Sequence, residues 1–304
     1  LEIYNGWAVT MSLSLIPFSI VMEMENGRTV SWSEVGDNLR AMTAEIHSLK
    51  GPSGQALPSL FLVHPGQESD NRLLIEGVRQ EAPGLEVVVR VECVSVPEGR
   101  YYELKNAGID RADGEVIVFL DSDNIPEAGW LSALLSPFQD PGIVAVNGHT
   151  YLQHDSFISR VFAMIWFFPL RDKDTRDAKR RAMNANNCAF RASWIKAHPF
   201  PIDKGFKVSC TKMMHELRQA GIEMVKVPAY CAHLPLQGWR FLVWRALVTG
   251  RDADRKFEDL RSPSRFQRLV HAFRHGFKMQ LRAARRVLLH YRHVSMPMWE
   301  VPAA

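Results

Sequence analysis

Apolar runs alternate with stretches of helical periodicity through the first half of the chain. The apolar runs predict strands at residues 18–24, 59–63, 85–94, 116–120 and 143–151. Apolar positions at three- and four-residue spacing predict helices between them, at residues 33–50, 72–81, 98–108 and 126–138. This order of elements predicts an α/β fold: a Rossmann-like, mostly parallel sheet flanked by helices, with ligands at the carboxyl ends of the strands.

The C-terminal segment, residues 262–293, combines an apolar stripe with charge of one sign. The apolar positions recur at helical spacing, at Phe266, Leu269, Val270, Phe273, Phe277, Leu281 and Leu288. Residues 261–293 contain nine Lys or Arg and no Asp or Glu, so the rest of a chain with net charge +4 carries −5. The pattern favours an amphipathic helix on an anionic membrane surface. A helix packed on the rest of the protein is the alternative, ahead of a nucleic-acid-binding face.

Composition places the chain among globular proteins, because 46% of its 304 residues are hydrophobic and 23% are charged. Its four cysteines are far apart and form no Cys-x-x-Cys pair, which argues against a zinc site or a disulfide framework. The longest apolar run, residues 161–170, is about half the length of a membrane-spanning helix. We therefore expect a cytoplasmic protein, peripheral on the inner face of the cell membrane.

The stretch 114–123, GEVIVFLDSD, carries the main candidate chemistry. A buried strand at residues 116–120 would deliver Asp121 and Asp123 at its carboxyl end. Two carboxylates at alternate positions can both reach a hard divalent cation and the phosphates that the cation carries. By itself an Asp-x-Asp pattern is weak, because most examples are solvated turn residues.

The residues on either side of Asp121 and Asp123 strengthen the functional interpretation of the Asp-x-Asp pattern. Lys105-Asn106-Ala107-Gly108 and Gly114-Glu115 precede the two aspartates, and Ile125-Pro126 and Trp130 follow them. Over residues 99–130 the sequence resembles the family-2 glycosyltransferases of the type-A nucleotide-sugar fold. The resemblance implies transfer of a sugar from a UDP- or GDP-linked donor to a hydroxyl of a saccharide or lipid-linked acceptor. It implies inversion at the anomeric carbon and the use of Mn²⁺ or Mg²⁺, and we predict no nucleic-acid partner.

The resemblance also implies roles for particular residues and a division of the chain. The metal would be held by Asp121, Asp123 and His233. The nucleotide-sugar would contact Glu23, Lys105, Asn106, Asp121 and Asp123, and the acceptor or diphosphate would contact Asn187, Trp239 and Arg240. The predicted catalytic domain covers residues 1–240, with a nucleotide-sugar-binding half at 17–151 and an acceptor half at 152–240. A basic helical extension follows at 241–304.

Two positions depart from the family pattern. After the second strand, where the family often has Asp-Asp-Gly-Ser, this chain has His64-Pro65-Gly66-Gln67, which puts the usual uridine preference in doubt. Ser209-Cys210 stands where a Glu-Asp pair usually supplies the general base. Cys210 and Glu216 are the candidate replacements, and His215 and Asp203 are further alternatives. The alternative function is that of a catalytically impaired relative, which binds a nucleotide-sugar or a partner. A third hypothesis is a nucleotidyltransferase, which would need a Gly-rich phosphate loop after the first strand.

Overall fold

The computed structural model describes residues 16–26, 30–49, 56–165, 169–171, 183–202, 208–234 and 264–303, with a few further positions between 243 and 254. Within these residues one sheet has eight strands, in the spatial order β3-β2-β1-β4-β7-β6-β8-β5. In chain order they are β1 (Phe18–Glu23), β2 (Ser59–His64), β3 (Arg90–Ser95), β4 (Val116–Asp121), β5 (Asn124–Pro126), β6 (Ala145–Leu152), β7 (Asn187–Arg191) and β8 (Met224–His233).

Helices cover the sheet on both faces. The helices with defined bounds are α1 (Trp32–Ser48), α2 (Asn71–Glu81), α3 (Leu85–Val88), α4 (Tyr101–Arg111), α5 (Trp130–Leu135), α6 (Phe157–Ile165), α7 (Ala192–Ala197), α8 (Val208–Gln219) and α9 (Arg265–His290), which packs on α6. Helix α1 begins at a capping box, in which Ser31 and Glu34 bond each other's backbone N–H groups. The same device, built from Ser264 and Gln267, starts α9.

The pairing confirms the predicted α/β class and the mostly parallel sheet. Strands β3, β2, β1 and β4 run parallel to one another, and β6 runs parallel to β8. Strand β7 is inserted between β4 and β6 and runs antiparallel to both. The short strand β5 pairs antiparallel with β8. Because β1 and β4 are parallel and in register, Glu23 and Asp121 lie side by side at their carboxyl ends.

The side chains of strand β4 alternate between the two faces of the sheet, and each face packs in its own apolar cluster. Val116, Val118 and Leu120 pack against α1, α2 and α5, whereas Ile117 and Phe119 pack against α4, α7 and α8. All five side chains are fully buried, as expected of a continuous apolar run in a sheet with both faces covered. The period of two puts the Asp121 side chain on the α4 face.

Two predicted segments differ from the structure. Residues 85–94, predicted as one strand, begin with helix α3, and extended pairing starts only where Arg90 lies beside Ser59 of β2. Residues 126–138, predicted as one helix, begin in β5 because Asn124–Pro126 pair with β8. Helix α5 then starts at Trp130, after Gly129 takes a φ of +82°. The second difference comes from pairing with β8, which local periodicity does not reveal.

The C-terminal residues are tied to α6 by a third apolar cluster. Val287 of α9, with Val294 and Met296 beyond it, packs against Phe162 and Met164 of α6. Glu300 accepts two hydrogen bonds from Arg160 Nη2, at 2.7 and 2.9 Å, and one from Arg160 Nε. In the part of the chain that the structure describes, no helix has the length and apolar content required to cross a bilayer.

Candidate active site at the carboxyl ends of β1 and β4

Asp121, the last residue of β4, is held by a set of buried donors. Lys105 Nζ lies 2.6 Å from its Oδ1, and the Tyr101 hydroxyl donates to its Oδ2 at 2.8 Å. The Asn38 amide donates to the Asp121 backbone carbonyl at 2.8 Å. These donors come from α4 and α1, so helices on both faces of the sheet fix the end of β4. The carboxylate is therefore preorganised before any ligand binds.

Lys105 is fully buried, with its ammonium over the rings of Tyr101 and Phe119 at 4.7 and 5.6 Å. Burial by itself would lower the pKa of Lys105, but Asp121 and Glu23 together raise it above the usual value. The ammonium therefore stays charged and forms a buried ion pair with Asp121. The phosphate contact that the resemblance implies for Lys105 would require this pair to open.

Asp123 lies two residues beyond Asp121 and faces His233, the last residue of β8. Its Oδ2 is 3.3 Å from His233 Nε2, and its Oδ1 is buried with no hydrogen-bond partner. Burial raises the pKa of Asp123 to about 6, partly offset by His233. His233 Nδ1 is 2.8 Å from the Leu234 carbonyl, an acceptor, so this nitrogen carries a proton. In the neutral ring the Nε2 lone pair then faces a carboxylate oxygen.

That arrangement fits a divalent cation. Two electron-rich atoms facing each other are stable only with a proton or a cation between them, and a backbone carbonyl that fixes the other ring nitrogen is typical of metal-binding histidines. The three-ligand set implied by the resemblance is not assembled, because Asp121 is turned to Lys105 and Tyr101. Among the described residues no three His, Cys, Asp or Glu side chains converge on one point. Phosphate oxygens of a substrate would have to complete the coordination.

Glu23, at the end of β1, is a buried carboxylate with one free oxygen. Its Oε2 accepts from the backbone N–H groups of Glu25 and Asn26, at 2.8 and 3.4 Å. Its Oε1 is buried with no partner, and burial raises its pKa well above the usual value. A group with N–H donors is what this oxygen lacks. The predicted contact with a nucleobase is compatible with that geometry and stays a prediction.

Two of the predicted contact residues have structural roles. The Asn106 amide exchanges two hydrogen bonds with the Phe200 backbone, at 2.8 and 2.9 Å. Asn187 is fully buried, where it accepts from Trp130 Nε1 and donates to the Ala229 carbonyl. Donor or acceptor contact by either amide would require these bonds to break. Trp239 and Arg240, the other predicted acceptor contacts, lie outside the described residues.

The position of the missing general base lies on α8. Cys210 is half-buried, with its Sγ 3.2 Å from the Tyr102 hydroxyl, and burial raises the pKa of its thiol. A thiol that stays protonated cannot take a proton from a hydroxyl. Glu216, six residues later, lies about 120° around the helix axis from Cys210 at 3.6 residues per turn. The two candidate bases therefore do not share a face of α8.

Sequence reasoning missed the aromatic partners of this site and a neighbouring polar network. Tyr101 lies one helical turn before Lys105, a spacing that puts both on one face of α4. In the neighbouring network, Arg171 donates to both oxygens of Glu127, at 2.8 and 2.7 Å. The Tyr151 hydroxyl donates to Glu127 Oε1 at 2.6 Å. The Arg171 guanidinium holds the pKa of Glu127 below its usual value.

Comparison with known proteins bears on the same residues. Residues 89–199 match the family model described as glycosyl transferase family 2, a match that includes Lys105, Asp121 and Asp123. Over this segment the chain is therefore similar to the family-2 glycosyltransferases. The resemblance first noted over residues 99–130 is thereby confirmed, and the match supports a glycosyltransferase. No curated protein matches the sequence.

Solved structures agree in fold with the family-2 segment. A mannosyltransferase from Pyrobaculum calidifontis in complex with GDP-Man and Mn²⁺ matches with a TM-score of 0.54 and 16% identity, over 99% of this chain and 82% of that chain. GalNAc-T7 with UDP, GalNAc and Mn²⁺ matches with a TM-score of 0.51 and 16% identity, over 75% of this chain and 45% of that chain. At these identities the likeness shows the fold, which is the type-A glycosyltransferase fold.

Proposed function

We propose that the chain transfers a sugar, in a metal-dependent reaction at a membrane face, from a UDP- or GDP-linked donor to an acceptor hydroxyl with inversion. One observation carries the proposal: Asp123, with a buried oxygen that lacks a partner, faces His233 beside the fixed carboxylate of Asp121. The family match to residues 89–199 includes Asp121 and Asp123. The two similar structures, whose complexes contain Mn²⁺ and nucleotides or nucleotide-sugar, support a donor of that class.

The proposed roles follow the geometry. Asp123 and His233 would hold Mn²⁺ or Mg²⁺, which would stabilise the negative charge that develops on the departing nucleoside diphosphate. Lys105 and Tyr101 keep Asp121 in one orientation, so that donor binding does not have to order it. Glu23 offers its free Oε1 to N–H groups of the base. We assign residues 17–151 to the donor half, 152–240 to the acceptor half and 241–304 to an extension.

In the transfer step, the acceptor oxygen forms a bond to the anomeric carbon from the side opposite the diphosphate, and the bond from that carbon to the phosphate oxygen breaks. The acceptor proton has to leave as the new bond forms. Cys210 does not suit this role because its thiol stays protonated. This observation favours the second candidate function, a relative that binds a nucleotide-sugar or a partner without transferring the sugar.

Calorimetry tests the donor site. Titration of UDP, GDP and their sugar conjugates, with Mn²⁺ and with a chelator instead, is expected to show binding that depends on the metal. Asp123→Asn should remove that dependence, whereas Asp110→Asn, at an exposed carboxylate on α4, should leave it intact. Binding that is equal with and without Mn²⁺ would contradict the proposed metal site. Absence of nucleotide binding in the unaltered protein would contradict the donor function itself.

A turnover assay separates the two candidate functions. Release of the nucleoside diphosphate from the bound donor, measured with and without candidate acceptors, is expected of a transferase. Metal-dependent binding without any release would instead identify the impaired relative.

A further inference from the structure

Helix α9 presents its apolar residues away from the protein. Phe266, Phe273 and Phe277 are 73%, 75% and 64% exposed, and Leu269, Leu281 and Leu288 are exposed as well. At 3.6 residues per turn these six side chains fall within a sector of about 120° and form one stripe along the helix. We call these six residues the outer stripe. Its aromatic and aliphatic side chains lie in solvent.

The face of α9 turned toward the protein carries the polar residues. The half-buried positions on that side include His271, His275, Arg282 and Arg286, which alternate with the outer stripe along the helix. A helix packed on a globular protein normally buries its apolar face and exposes its polar face. In α9 the polarity is reversed, except at Val287, which packs against α6. Packing on the catalytic domain, the alternative raised by the sequence, therefore does not account for the outer stripe.

The reversed orientation is fixed at both ends of the helix. Near its N-terminus Arg268 pairs with Asp254. At its C-terminus Val287 enters the cluster with α6, and the ion pair between Arg160 and Glu300 fastens the residues that follow. Glu300 is buried, so this pair is shielded from water. The outer stripe is thus carried on a helix that the rest of the protein holds in place.

Charge identifies the occupant. Exposed basic residues border the outer stripe: Arg274, Lys278 and Arg285 follow one edge, and Arg265 lies at the other. No acidic residue occurs between positions 261 and 293. An antiparallel two-fold pair of α9 helices would bring together the edges that carry Arg274, Lys278 and Arg285 in the two copies, which disfavours a second copy. An apolar strip bordered by a cationic row matches a bilayer of anionic lipid, whose acyl chains accept the apolar residues while its headgroups neutralise the basic ones.

We propose that the outer stripe inserts into an anionic bilayer, with α9 lying in the plane of the interface. The proposal deepens the membrane location contained in the proposed function, and it specifies the surface and the lipid chemistry. It requires no nucleotide, metal or acceptor. Its failure can therefore be distinguished from failure of the donor site.

Vesicle co-sedimentation of the full chain tests the proposal. Phosphatidylcholine vesicles are compared with vesicles that also contain phosphatidylglycerol, without nucleotide. The stripe variant is Phe273→Gln with Phe277→Gln, which keeps the charge and a helix-compatible side chain. The matched control is Leu73→Gln, at an apolar residue of α2 that is 68% exposed.

The expected result is binding to the anionic vesicles only. Loss of two phenyl rings from the interface should weaken binding by about a hundredfold, while the control should bind as the unaltered protein does. Neutralising Arg274, Lys278 and Arg285 to Gln should weaken binding by about a hundredfold, at roughly tenfold or less for each charge. Added salt should weaken it further.

Three results would overturn the proposal. The first is equal vesicle binding by the stripe variant and the unaltered protein. The second is equal binding to vesicles with and without phosphatidylglycerol. The third is no vesicle binding together with a concentration-dependent dimer in sedimentation equilibrium that the stripe variant abolishes, which would assign the stripe to a second copy. Calorimetry with nucleotide and Mn²⁺ on the same variants shows whether they are folded and whether the donor site stands independently.

Discussion

Replacement of Lys105 by Met tests whether the buried ion pair with Asp121 holds the site together. Methionine keeps much of the side chain's length and apolar stem but removes the ammonium that lies 2.6 Å from Asp121 Oδ1. Both side chains are almost completely inaccessible, so water cannot replace the lost charge. Removing one partner of such a pair typically costs about 3–5 kcal/mol, because the other charge stays buried without compensation. Glu23, which also interacts with Lys105, adds to the penalty.

Urea unfolding of the Lys105→Met variant, followed by circular dichroism, measures this loss. The same experiment on Asp121→Asn and on the double variant completes a thermodynamic cycle. We expect the double variant to be clearly more stable than the sum of the two single losses predicts, because it no longer buries an unpaired charge. Lys105→Arg serves as the control that keeps the charge while changing its geometry.

A solvent-facing phosphate contact at Lys105 would give the opposite pattern. The Met variant would then unfold within about 0.5 kcal/mol of the unaltered protein, as most surface substitutions do, while its affinity for a nucleoside diphosphate would fall. A loss of stability below about 1 kcal/mol, or a coupling energy near zero in the cycle, would refute the assignment of Lys105 to a buried pair.

Two further predictions concern the general-base position and the start of β4. Cys210→Ser should leave any transfer activity unchanged, and loss of activity in this variant would show that the thiol acts in the reaction. If the chain lacks only a general base, Cys210→Asp should raise transfer to a hydroxyl acceptor by about a hundredfold or more. Gly114→Ala should cost about 1–3 kcal/mol in urea unfolding, because a Cβ there would overlap the Phe18 carbonyl carbon, and backbone cannot move aside as a side chain can. Gly276→Ala, in open space on α9, should be neutral or stabilising, and equal stability losses at the two glycines would contradict this packing argument.

Local sequence predicted the elements whose own residues determine them. Strand β4 was predicted almost to the residue, because a run of five apolar residues ending in Asp-Ser-Asp fits a buried strand and little else. Helix α9 was predicted from its spacing and its charge. The helical start of residues 85–94 and the strand at Asn124–Pro126 were not predicted, because tertiary contacts decide both. The antiparallel direction of β7 depends on pairing with β4 and β6, which periodicity cannot show.

The position of the site could be predicted from the sequence, whereas the contacts of its side chains could be predicted less well. The carboxyl ends of β1 and β4 follow from the parallel sheet, so Glu23 and Asp121 could be placed from sequence. The partner of Lys105 could not, because a helical residue next to a strand end can face either solvent or the strand. Asn187 shows the same limit: its residue type suits a ligand contact, but the Trp130 indole and the Ala229 carbonyl use its amide.

Strand β7 has a consequence for the order in which the molecule is completed during synthesis. Its residues form the second neighbour of β4, yet they leave the ribosome about 70 residues after Asp121, which at roughly 5–20 residues per second is a delay of several seconds. Until then one edge of β4 has no hydrogen-bonding partner, and an open strand edge is a site of wrong pairing and aggregation. A nascent chain stalled before Asn187 should therefore require chaperone protection.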